Sequence, residues 1–151
     1  MRLIAHRGNI AGRNPETENE PNHLLTLLSK GIECEIDIHF VDWKMWLGHD
    51  APQYRFDINQ FYKYNHLLWV HIKSFECNSQ FVLLDEFNYF TQDKETYSVT
   101  SFKYLWTNVG IRCVPTLSIA VLPELQSPEN LHEAIGICTD DFSLWDQYVT
   151  K

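Results

Sequence analysis

The chain has 151 residues, 44% of them hydrophobic and 14% aromatic, which suits one domain with a real core and excludes a disordered polymer. Its 20 acidic residues against 12 Lys and Arg leave a net charge of -8, which argues against nucleic acid as a partner, because that surface calls for a basic face. No apolar run approaches the ~20 residues of a membrane span.

In chain order, Leu3-Ile4-Ala5 reads as a short buried strand. His6 and Arg7 interrupt it at once, which argues against a signal peptide. Gly8 to Pro21 is a loop rich in Gly, Asn, Glu and Pro. Pro21 suits a first helical position, with Asn19 or Glu20 as cap, and Lys30-Gly31 ends that helix. Ile32 to Val41 is the next strand, Asp42 to Lys44 a turn, and Met45-Trp46-Leu47 a return strand. A short helix is expected from Ile58 to Tyr64, a strand from Leu67 to Ile72, and a helix from Phe75 to Phe87. Strands follow at Tyr89 to Thr91, Tyr104 to Thr107, Leu117 to Leu122 and Ala134 to Cys138, with a helical C-terminus. Strands alternating with helices predict a parallel sheet of βα units. The cysteines Cys34, Cys77, Cys113 and Cys138 are widely spaced. They read as reduced and buried, hence a cytoplasmic protein, rather than as a zinc site.

The parity of the polar residues carries the functional argument. Residues two apart in a strand share a face, so Glu33, Glu35, Asp37 and His39 align opposite Cys34, Ile36 and Ile38. Trp69, His71 and Lys73 align opposite Val70 and Ile72 in the same way. Charges on such a face must be paired or bind metal. The simplest arrangement places them inside a barrel, near the carboxyl ends of its strands. Glu35 and Asp37, about 7 Å apart along one face, suit a hard divalent cation such as Mg²⁺ or Ca²⁺. The alternative is an exposed edge strand with ordinary charges, against which Ile36, Ile38, Phe40 and Val41 weigh. His6 stands at a strand end where a general base is useful, although a hydrogen-bonded structural histidine is the commoner occupant. His49 follows Gly48, which permits close backbone approach, and precedes Asp50, which is placed to orient an imidazole. His39 shares a face with Asp37 and reads as a supporting group. His23, His66 and His132 read as solvated, and the aromatic residues from Trp43 to Trp46 as hairpin packing, with a substrate-contacting lip as the lesser alternative. Cys34 faces away from Glu35 and reads as packing.

His6-Arg7-Gly8, Glu18-Asn19 before the first helix, Glu35-x-Asp37 and His49-Asp50 together resemble the glycerophosphodiester phosphodiesterases. These belong to the wider superfamily of phosphatidylinositol phospholipase C-like barrels. Order and approximate spacing agree over the first third of the chain. Ile72-Lys73 resembles the third-strand Glu-x-Lys of the family, and Trp106-Thr107 and Thr139-Asp140 resemble segments near its C-terminal end.

The resemblance implies a small or incomplete TIM-like (β/α) barrel with parallel strands, and a metal-dependent hydrolase of small glycerophosphodiester-like substrates. It implies His6 and His49 as the acid/base pair, Glu35 and Asp37 as metal ligands, and Arg7 and Lys73 as groups that neutralise phosphate oxygens. The third acidic ligand of the family falls at His71. That residue either ligates, favouring a softer ion than Ca²⁺, or lines the cavity. A full barrel takes ~250 residues, so several helices must be shortened or lost here. A shortened barrel leaves apolar flanks, for which homo-oligomerisation is an expected cover. Two other functions share the same site: a lyase that forms a cyclic phosphate, and a non-catalytic module that binds a phosphate ester or a protein.

Overall fold

The computed structural model describes residues 1–74 and 85–149. Its strands are β1 (Arg2–Ala5), β2 (Glu33–Val41), β3 (Lys44–Leu47), β4 (Tyr54–Arg55), β5 (Leu68–Ile72), β6 (Asn88–Phe90), β7 (Tyr97–Val99), β8 (Leu105–Thr107), β9 (Ser118–Val121) and β10 (Gly136–Thr139). The helices are α1 (Pro21–Ser29), α2 (Ile58–Phe61) and α3 (Asp146–Val149), with 3₁₀ turns between strands.

The described strands form one curled, mostly parallel sheet, a partial barrel. The parallel run is β6–β5–β2–β1–β10–β9–β8. β3 and β4 extend β2 as an antiparallel flap, and β7 is an antiparallel neighbour of β8. At the two ends of this run, β6 and β8 touch through side chains and a turn, with no strand ladder between them. Phe90 of β6 stacks on Trp106 of β8 with centroids 4.5 Å apart, and Ser101 N donates to Tyr89 O at 2.8 Å.

Alternation sorts the strand residues into an inside and an outside. Inside, Ile4, Trp69, Phe90, Trp106, Ile119 and Cys138, each from a different strand, form one apolar cluster. Outside, Cys34, Ile36, Ile38, Val70 and Ile72 meet Leu24, Leu27 and Leu28 of α1 and Phe61 of α2. Ala120 and Ile137 meet Leu131 and Trp145 on the other flank. Below the site, Glu33 accepts from Arg2 Nε at 2.9 Å and from Trp69 Nε1 at 2.8 Å, so that inward charge is paired within the structure.

The helix α1 starts on Pro21 as the sequence predicts, capped by Glu20, whose carboxylate accepts from Asn22 N and His23 N. It stops at Lys30-Gly31, where Gly31 takes the left-handed backbone (φ +78°). Most of the expected helix from Phe75 to Phe87 lies outside the described residues, and Asp85, Glu86 and Phe87 form a turn and bend, not helix. The second half departs further from regular βα alternation. The chain passes from β8 to β9 to β10 through loops and one 3₁₀ turn, Leu131–Glu133. That shortening is how a barrel-like sheet fits into 151 residues. Trp43 is 85% exposed at the tip of the β2–β3 hairpin, where its ring meets Phe40 of the same hairpin edge-on with centroids 6.1 Å apart. Among the described residues no helix is long and apolar enough to cross a membrane.

Candidate functional site

The carboxyl ends of β1, β2, β5 and β10 converge, and each delivers one part of a polar cluster. β1 runs into a 3₁₀ turn, His6–Gly8, in which Arg7 takes a left-handed backbone (φ +54°) and Gly8 another (φ +85°). A Cβ on Gly8 would stand 3.0 Å from Leu24 Cδ2, so the turn packs tightly on α1. His23 Nε2 donates to Gly8 O at 2.8 Å. His23 therefore clamps this turn, a correction to its reading as solvated; His66 and His132 are exposed as expected.

Glu35 and Asp37 are buried at 2% and 1% exposure, on the inward face that strand parity predicts. Arg7 N donates to Glu35 Oε2 at 3.1 Å. Asn19 binds Asp37 twice: its Nδ2 donates to Oδ2 at 3.1 Å, and its Oδ1 accepts from the backbone N at 3.0 Å. The guanidinium of Arg7 lies between acids, with Nη1 donating to Glu18 Oε2 at 3.2 Å and Nε 3.4 Å from Asp37 Oδ2. The register pairs Asp37 with His71 directly across β2 and β5. His71 Nδ1 stands 3.1 Å from Asp37 Oδ1 and 3.9 Å from Glu35 Oε1, and its Nε2 lies 3.2 Å from Gln92 O. Burial and the charge of Asp37 push the Glu35 pKa up. Burial acts against ionised Asp37 too, but His71 and Arg7 hold it below the usual carboxylate range.

His6 is buried, and its Nδ1 lies 2.8 Å from Asp140 Oδ1. Asn9 Nδ2 donates to the same oxygen at 2.8 Å and to Glu18 Oε1 at 3.1 Å. Glu124 fixes the far side, its Oε1 accepting from Asp140 N and from Thr139 Oγ1, both at 2.8 Å. Burial alone would lower the His6 pKa, yet the Asp140 hydrogen bond and the charge of Glu35 raise it above the ordinary value. Burial would raise Asp140, and His6 holds it below its ordinary value.

His49 reaches the cluster from the loop after β3. Gly48 N donates to Asp37 O at 3.2 Å, and His39 Nε2 donates to Gly48 O at 2.8 Å, so β2 anchors this loop at two points. His39 thus supports the site from behind, as its parity suggests. His49 Nδ1 lies 2.7 Å from the exposed Asp50 carboxylate. Burial lowers the His49 pKa, and the positive charges of Arg7 and Lys73 act in the same direction against Asp37. A cleft of about 200 Å³ is lined by Arg7, Arg13, Glu18, Asn19, His49 and Asp50. Lys73 does not line it: it borders a separate cleft of about 360 Å³ with Ser74, Gln92 and Asp93.

The structure therefore gathers Glu35, Asp37, His71 and Arg7 in direct contact, with His6 and His49 close enough to feel the carboxylate charges, and sets Lys73 in a separate cleft. Asn9, Gln92, Glu124 and the hold of Asp140 on His6 are additions that strand parity does not supply. The contact between His6 and Asp140 spans 134 positions and exists because β1 pairs with β10. The donor set fits a divalent cation: Asp37 Oδ1 is buried without a hydrogen-bond partner, and Glu35, Asp37 and His71 each offer a ligand atom within 4.8 Å of the others. No family model matches the chain, and searches of curated proteins and of solved structures return no match.

Proposed function

We propose that this chain is a metal-dependent phosphodiesterase on a shortened TIM-like barrel, cleaving small glycerophosphodiester-like substrates by histidine acid–base chemistry. The observation that carries the reading is placement: the turn after β1 and the loop after β3 bring His6, held 2.8 Å from Asp140, and His49, tied through Gly48 N to Asp37 O, to the buried carboxylates Glu35 and Asp37, in surroundings that favour a proton on His6 and disfavour one on His49. Titratable groups driven apart by their surroundings are the mark of an acid and a base working together.

Asp140 accepts from Nδ1 of His6, which leaves Nε2 as the working nitrogen. With its pKa raised, His6 is the acid and protonates the leaving oxygen. His49, held neutral, is the base that takes a proton from the attacking hydroxyl, either water or a neighbouring alcohol of the substrate. A divalent cation on Glu35 and Asp37, when bound, supplies positive charge to a phosphate oxygen. Arg7, fixed by Glu18 and Asp37, adds a second positive charge on the cleft wall.

The test is turnover of a panel of glycerophosphodiesters by purified protein with Mg²⁺, Ca²⁺, Mn²⁺ or Zn²⁺, followed by phosphorus NMR. The expected product is a phosphomonoester, and His6→Ala or His49→Ala should each cost roughly 10²–10⁴-fold. A cyclic phosphate as final product would make the chain a lyase instead. No turnover with any ion, or full activity in the double variant, overturns the proposal.

A further inference from the structure

The side chain of His71 faces two buried carboxylates, Asp37 and Glu35. Its Nε2 lies 3.2 Å from Gln92 O, and a carbonyl oxygen only accepts, so Nε2 carries the proton. In the neutral ring the Nδ1 lone pair then points to the carboxylate side. Asp37 Oδ1 stands 3.1 Å from that nitrogen, yet this buried oxygen has no aligned hydrogen-bond donor. Two electron-pair donors at that separation, without a proton aligned between them, have the spacing of adjacent ligands on one ion. Ligands bonded at ~2.1 Å stand ~3.0 Å apart at right angles and ~3.4 Å apart at the tetrahedral angle, so the spacing marks ligation and the nitrogen donor marks the ion. Glu35 Oε1, 3.9 Å from the same nitrogen, closes a three-sided pocket. The stack of His71 on Phe90, with centroids 5.0 Å apart and planes at 10°, fixes the ring in this orientation.

We infer that His71 is a metal ligand through Nδ1, and that it gives the site a preference for a first-row transition ion, Mn²⁺ or Zn²⁺, over Ca²⁺ and Mg²⁺. The inference rests on the reading of Glu35 and Asp37 as a cation site and concerns which ion that site takes. Ca²⁺ and Mg²⁺ are hard ions that take oxygen ligands, Ca²⁺ about 6–8 of them. Imidazole nitrogen is a borderline donor that suits transition ions. The two carboxylates balance a dication without a third acid, and the positive charge of Arg7 close to Asp37 leaves the cluster suited to an anionic phosphate. Gln92 acts through His71: by holding Nε2–H it keeps Nδ1 as the donor.

The experiment is calorimetric titration of the metal-free full chain with chlorides of Mn²⁺, Zn²⁺, Mg²⁺ and Ca²⁺. It is joined to pulsed electron paramagnetic resonance of the Mn²⁺-loaded chain. The expected result is one equivalent of Mn²⁺ or Zn²⁺ bound at least about tenfold more tightly than Ca²⁺ or Mg²⁺. Mn²⁺ should show coupling to an imidazole nitrogen that is lost in His71→Gln. In His71→Glu the preference should swing toward Ca²⁺. Circular dichroism identifies which variants fold, and the affinity ratio of the wild-type chain decides the matter if neither does. Equal affinities for all ions, or nitrogen coupling that survives in His71→Gln, overturns the inference and leaves the phosphodiesterase reading standing. Binding of no ion at all overturns both.

Discussion

Asp140 governs the charge of His6 from the far end of the chain, and its removal is the most informative single change. In Asp140→Asn the hydrogen bond to Nδ1 loses its ionic partner, while the burial of His6 continues to act against protonation. The titration midpoint of His6, read by proton NMR, should fall. The alkaline limb of the pH–rate profile, where the acid His6 loses its proton, should move down with it, and turnover should drop at least about tenfold. An unchanged midpoint would show that Glu35 alone sets the charge of His6. The same pair makes a signed prediction for stability. The raised pKa of His6 contributes stability that is full below its ordinary 6.5 and is lost as pH rises through the folded-state value. The lowered pKa of Asp140 contributes stability that is full above its ordinary 3.8 and is lost as pH falls through the folded-state value. The difference in Tm between wild type and Asp140→Asn should therefore be widest between those two pH values and narrow on either side. Residues of this kind were only partly legible. His6, Glu35, Asp37 and His49 stand out because polar groups interrupt apolar runs. Asp140 and Glu124 sit in a C-terminal stretch whose polarity looks like that of any loop, and only sheet order brings them to His6.

At the scale of elements, β2 and the loop it anchors decide where His49 stands. Gly48 is tied to β2 on both sides, through Asp37 O and His39 Nε2. Its backbone lies at φ +148°, and a Cβ there would meet Ala51 O at 2.1 Å. That contact is with backbone, so Gly48→Ala must shift the loop that carries His49. Turnover should fall toward the level of His49→Ala, while His6 titrates unchanged by NMR and far-ultraviolet circular dichroism keeps its wild-type shape. Wild-type turnover in this variant would remove His49 from the mechanism. The alternation in β2 was legible because nine residues, Glu33–Val41, give a period of two room to repeat. β4 and β7 were not, since two and three residues carry no period. β7 also follows a charged stretch, Asp93-Lys94-Glu95, that reads as loop. Its strand state comes from β8, which it pairs through Tyr97, Ser98 and Val99.

For the whole molecule, the economy of a barrel-like sheet in so short a chain concentrates weakness at one seam. Six interfaces of the parallel run are held by backbone ladders, and β6 to β8 is held instead by a turn and a ring stack. Ser101 is the centre of that closure. Its Oγ accepts from Tyr89 N at 3.0 Å and donates to Phe87 O at 2.9 Å, and its backbone N donates to Tyr89 O at 2.8 Å. Phe102 N adds a longer bond to Asn88 Oδ1 at 3.3 Å. Phe90 lies on the same seam and stacks on His71, so a looser seam is felt at His71. Ser101→Ala removes one hydroxyl and two side-chain bonds but leaves the backbone bond to Tyr89 O, which predicts a cost of about 1–3 kcal/mol. Amide exchange at Tyr89, Phe90 and Ser101 should quicken first. The strands β1, β2 and β10, which have partners on both sides, should exchange at rates set by the global stability alone. Uniform acceleration across all strands would mean that the seam opens only with the whole fold, and that the curled sheet behaves as one cooperative unit.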